Sequence, residues 1–118
     1  MHPKAKYLFI ASMDVDPDKE SIFNEVYDTE HVPMLLKVPG VLSATRTTTE
    51  PLAVVIGGKR NVSIAEGEPK YTAIFELDNA DVLVSEAWAK AVDQGRWTAE
   101  VRPYTRNRKH FLKKIMDR

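Results

Sequence analysis

The chain contains no cysteine. That absence excludes disulfides, thiolate nucleophiles and cysteine-ligated zinc together, and it fits a reducing compartment. An excess of one charge is lacking too: 17 Lys+Arg face 17 Asp+Glu. No global field therefore draws the chain to nucleic acid or to an anionic membrane, and any charged partner is bound locally. No stretch approaches the roughly 18 to 20 apolar residues of a membrane span. The apolar run 7–13 (YLFIASM) behind residues 1–6 is too short for a signal core and has no small-residue cleavage site. The expected location is the cytoplasm, with neither membrane nor nucleic acid as partner. Histidine is scarce, and His2, His31 and His110 fall on separate elements without ligand spacing, so no metal site is expected.

What is present suffices for one domain over residues 1–118: 43% of the residues are hydrophobic, enough for a single core. In the run 7–13, Tyr7, Phe9, Ala11 and Met13 share one strand face, and Leu8, Ile10 and Ser12 the other. The run 71–77 (YTAIFEL) behaves alike, with Tyr71, Ala73, Phe75 and Leu77 opposed to Thr72, Ile74 and Glu76. Strands apolar on both faces in so short a chain call for helices on one side and another protein surface on the other, which predicts a homodimer.

Between these strands, Asp16-Pro17 is a helix start, followed by Phe23, Tyr27 and His31 at four-residue spacing with Ile22 and Val26 beside them. Pro33 has no N–H for the Thr29 carbonyl, so the helix should end or kink around residues 30–32. Val38-Pro39-Gly40 closes the segment, and residues 41–49 (VLSATRTTT) read as a strand. Within residues 50–68, 52–56 and 62–64 resemble an extra hairpin whose tip is 57–61, an arm suited to packing on a partner. Gly57-Gly58-Lys59 lacks the spacing of a phosphate loop and is read as a turn. Asp78-Asn79 can cap a second amphipathic helix bearing Leu83, Val84, Ala87, Trp88 and Ala91 and stopped at Gly95. Periodicity in the C-terminal segment slightly favours helix, but only a strand there completes a four-stranded sheet, so a strand is expected.

The densest group of titratable and aromatic residues is Tyr27-Asp28-Thr29-Glu30-His31-Val32-Pro33. His31 shares the Phe23/Tyr27 face and should point toward the sheet. Burial would lower its pKa, whereas Glu30 and the negative helix end would raise it, leaving an imidazole able to exchange protons near neutral pH, as general acid/base catalysis requires.

The sequence 23–33 (FNEVYDTEHVP), then Val38-Pro39-Gly40-Val41, Ala44 and Arg46, then 69–77 (PKYTAIFEL), resembles the EthD-like (ethyl tert-butyl ether degradation) branch of the dimeric α+β barrel superfamily. The resemblance covers most of the chain except residues 50–68. It implies an α+β, ferredoxin-like four-stranded antiparallel sheet with two helices on one face, dimerising into an α+β barrel, and it supports a C-terminal strand. It also implies a pocket between sheet and helices, and chemistry on aromatic or polyketide-like substrates without a bound organic cofactor. By position, His31 matches the helix histidine, and Tyr27 and Arg46 neighbouring motif positions. These three are the catalytic candidates, Tyr27 to orient a carbonyl and Arg46 to stabilise an enolate. Phe23, Glu76, Trp88 and Trp97 are the candidate substrate-binding residues. Arg46 is also a suitable ion-pair partner for Glu76. The expected function is proton transfer (isomerase, cyclase or oxygenase type) on a small apolar or aromatic carbonyl compound; the alternative is a non-catalytic dimeric ligand-binding or accessory protein.

Overall fold

In the computed structural model, which describes residues 1–63 and 65–117, the chain runs β1 (Tyr7–Val15), α1 (Glu20–Val26), α2 (Val32–Leu35), β2 (Val41–Thr48), β3 (Leu52–Ile56), β4 (Lys59–Ser63), β5 (Tyr71–Leu77), α3 (Glu86–Asp93) and β6 (Thr105–Lys114). Four strands form one antiparallel sheet in the order β2-β5-β1-β6, the ferredoxin-like arrangement expected, and β3-β4 form a separate hairpin. The register places Phe9 opposite Phe75 and Ala11 opposite Ala73. With Met13 and Leu77, these side chains form the sheet's half of the core, against Phe23, Val26, Leu35, Trp97 and Val101 from the helical layer. Period-two alternation supplies one half and four-residue helical spacing the other.

A short 3-10 turn (Pro17–Lys19) leads into α1. Where an end or kink was expected at residues 30–32, the helix widens instead. Tyr27–His31 form a π-helical turn in which the Val32 N–H reaches back to the Tyr27 carbonyl, and α2 carries Pro33 in its first turn and continues to Leu35. Proline is accommodated because it directly follows the wide turn, where the regular i→i−4 ladder is already interrupted. The second helix departs from expectation at its start. Ala80–Val84 form a 3-10 turn, and Ser85 rather than Asp78-Asn79 caps α3, its hydroxyl accepting from the Trp88 N–H at 3.1 Å. Val84 consequently points to solvent.

The C-terminal segment is a strand despite its helical periodicity, because β6 pairs with β1 from Lys114 opposite Tyr7 to Thr105 opposite Val15 and satisfies an otherwise open edge. The hairpin turn is tighter than expected. Gly57 and Gly58 (φ +60° and +78°) alone form it, and Lys59, Arg60 and Asn61 belong to β4. Of the expected second arm 62–64, Ile64 lies outside the described residues. The hairpin is exposed throughout, with Leu52, Val54, Val55, Ile56 and Val62 between 37% and 68% accessible. The chain measures 50 × 44 × 19 Å with a radius of gyration of 16.0 Å, against roughly 13 to 14 Å for a compact domain of this length.

The sheet's other face carries Leu8, Ile10, Ile74 and Phe111 amid hydroxyls and lysines. Among the described residues, Leu8, Ile10 and Ile74 do not pack against the hydrophobic core.

Candidate functional site

A cavity of about 260 Å³ opens between the helix-bearing face of the sheet and the helices. Phe9, Ala11, Met13 and Phe75 line it from the sheet, Tyr27, His31 and Leu35 from the first helical segment, Trp88 and Val92 from α3, and Trp97 from the π-helical turn Trp97–Val101 that follows α3. Arg102, Arg108 and His110 complete it.

His31 is buried, 6% accessible, and its Nδ1 has no hydrogen-bond partner among the described residues. Its ring stacks on Trp97 (centroids 4.1 Å apart, 14° between planes) and meets Tyr27 edge-on at 5.1 Å. Burial first, and the Arg102 charge second, lower its pKa to about 4. The imidazole is therefore neutral at pH 7 and offers one N–H donor and one acceptor nitrogen. The expected upward pull of Glu30 does not operate, because Glu30 is committed elsewhere. Its Oε1 accepts from the Arg96 backbone N–H at 2.9 Å, and its Oε2 from Arg96 Nε at 2.6 Å. These bonds hold the Glu30 carboxyl below the usual carboxylate range. A second bridge runs from Arg96 to Glu25 at 2.9 Å.

That pairing positions Trp97. Arg96 precedes it in the chain, and Gly95 (φ +70°) precedes Arg96 at a point where a Cβ would collide with Glu30 Oε1. Glycine serves both needs, a positive φ and a close approach. The two carboxylates on the first helix thus dock the segment that lays the indole on the imidazole.

The candidates divide. His31, Tyr27, Trp88 and Trp97 all line the cavity. Tyr27 is nearly fully buried, and burial, opposed by the Arg46 charge, pushes its phenol up to about 12. Phe23 is completely buried behind Tyr27, packed on Tyr27, Tyr71 and Trp97, and is not a lining residue. Arg46 is not one either. Its guanidinium donates to Asp28 Oδ1 and Asn24 Oδ1, each at 2.9 Å, and lies 4.4 Å over the Tyr27 ring. Arg46 therefore clasps α1 to β2, and its expected pairing with Glu76 does not form. Glu76 lies on the opposite face of the sheet, where its carboxylate accepts from Ser43 Oγ and from the His2 N–H, both at 2.8 Å. Strand alternation explains this: Phe75 faces the cavity, so Glu76 cannot.

Sequence reading missed Arg102, Arg108 and His110. A strand assignment for the C-terminal segment already places residues 108 and 110 on one face, but which face meets the cavity depends on the pairing of His110 with Ala11. Among the described residues, no group of three or more His, Asp or Glu is arranged to hold a metal ion.

No family model and no curated protein matches the chain. A solved structure does: an EthD family protein from Bacillus halodurans C-125 superposes with a TM-score of 0.59, covering 94% of this chain and 99% of that one at 13% identity. The chain thus has the fold of an EthD family protein.

Proposed function

We propose that this protein binds a small apolar or aromatic carbonyl compound in the cavity beside His31 and moves a proton on it, in an isomerase, cyclase or oxygenase type of reaction. The observation that carries the reading is a buried histidine, its Nδ1 unpartnered among the described residues, lining a cavity walled by aromatic and cationic side chains. A buried polar atom without a partner costs about 1–3 kcal/mol, so the imidazole is kept at this position against a folding cost. Trp97 and Tyr27 hold the ring in place, which is the preorganisation proton transfer needs. As a neutral group His31 takes up a proton when negative charge develops next to it, because an adjacent anion offsets the cost of burying imidazolium. Tyr27 borders the same space and serves to orient the bound carbonyl.

The functional unit in this proposal is a homodimer joined through the Leu8/Ile10/Ile74/Phe111 face, with the exposed β3-β4 arm reaching the second copy. Leaving that apolar surface in water is unfavourable.

The low His31 pKa favours a second reading, a binding or accessory protein in which the imidazole only hydrogen-bonds its ligand. Hydrogen–deuterium exchange at the α-carbons of phenylpyruvate and 4-phenyl-2-butanone, followed by NMR, separates the two. An enzyme accelerates exchange, and His31→Ala lowers the rate by about 10²-fold or more while the protein stays folded. Binding of either ketone without accelerated exchange, or exchange indifferent to His31→Ala, selects the binding protein.

A further inference from the structure

The charged groups of the cavity lining are all of one sign. Arg102 comes from the 3-10 turn Arg102–Tyr104, and Arg108 and His110 follow on β6, two residues apart and so on one strand face. No carboxylate lines the cavity among the described residues. Arg102 gives one guanidinium nitrogen to the exposed Asp93 at 3.2 Å. Arg108 has no carboxylate partner among the described residues and makes no side-chain hydrogen bond there. His110 packs against Phe9, with ring centroids 5.7 Å apart, so the strand that carries Arg108 directly adjoins the aromatic wall of Phe9, Phe75 and Trp88.

We propose that the ligand of this cavity is a small aromatic or apolar acid, its single carboxylate seated against Arg102, Arg108 and His110 and its body against Phe9, Phe75 and Trp88. This rests on the cavity being the ligand site, as argued above, and adds the charge class of the ligand. A neutral molecule of the same shape would cover part of the exposed Arg108 guanidinium without supplying it a partner. A carboxylate matches the planar fork of arginine with charge-assisted hydrogen bonds, and a cationic ligand is repelled. Volume limits the body to about one ring, since a cavity of about 260 Å³ lies just under the roughly 300–1,000 Å³ of sites for drug-sized ligands. Bound there, the anion also offsets the Arg102 charge, which after burial is the second cause lowering the His31 pKa.

The test compares two isosteres, 3-phenylpropanoate and 3-phenylpropanamide, by calorimetry and by the ring-proton NMR signals of the three histidines, His2 serving as the remote control. The acid is expected to shift the His31 and His110 signals and to bind about tenfold more tightly than the amide, the value of one charged contact. Arg108→Gln is expected to abolish that preference while leaving the amide affinity within about twofold, and Arg102→Gln to reduce it. Equal binding of acid and amide, or equal weakening of both by Arg108→Gln, overturns the anionic ligand and leaves the cavity as a site for neutral carbonyls. If neither compound moves the His31 and His110 signals at millimolar concentration, both the charge class and the cavity reading fail.

Discussion

Acid should destabilise the protein through His31 before its carboxylates matter. The folded-state pKa is about 4, and in the unfolded chain an unperturbed histidine titrates near 6.5. Between these values the unfolded state binds the extra proton and the native state does not. The resulting stability is complete above the unfolded pKa and is lost as pH falls toward the folded one. At 1.36 kcal/mol per pKa unit, the loss attributable to His31 is about 2 kcal/mol between pH 7 and pH 5, and about 3 kcal/mol by pH 4. Asp14, Glu20, Glu30 and Glu76 have lowered pKa values, so their stabilisation disappears only below the ordinary carboxylate range. His110 also has its pKa lowered by burial, but its exposed ring makes its share small. The clean measurement is a difference between two proteins. Urea unfolding at pH 7 and pH 5 is compared for the natural chain and for His31→Phe, which keeps a ring against Trp97 and removes the titration. The natural chain should lose about 2 kcal/mol more than the variant over this range. Equal losses would refute the reasoning and show that the imidazole is hydrated or partnered in solution.

Phe23→Ala should create a cavity behind Tyr27 and cost about 3–5 kcal/mol in urea unfolding, since Phe23 is fully buried; a cost below about 1 kcal/mol would mean the aromatic cluster is not tightly packed. Light scattering at micromolar concentration should give twice the monomer mass, and Ile74→Lys, at the centre of the uncovered sheet face, should give the monomer. A natural chain that is monomeric there would count against the paired sheets.

The first helical stripe was legible in the chain because residues four apart on a helix share a face whatever surrounds them, which brings Phe23, Tyr27 and His31 together. Alternation in β1 and β5 likewise separated the two faces of the sheet in advance. The wide turn at Tyr27–His31 was not legible beyond Pro33 as a warning, since the choice between ending and widening depends on whether α2 has a core to join, and Leu35 supplies one. Glu76 shows the reverse error. Its own strand pattern put it opposite Phe75, but chemical suitability suggested Arg46 as a partner, and the two lie on different faces.

Local covalent geometry thus determined which residues share a helix stripe or a strand face, because those periodicities belong to the backbone and need no neighbours. Tertiary structure alone decided the C-terminal strand, which forms because β1 offers an open row of hydrogen-bonding groups that outweighs a weak helical periodicity. It also decided the electrostatics of the site. Glu30, next to His31 in the chain, spends its charge on Arg96, whereas Arg102, 71 residues away, sets the field at the imidazole. Coulomb interactions follow distance through space and the dielectric around each charge, and neither is encoded by separation along the chain.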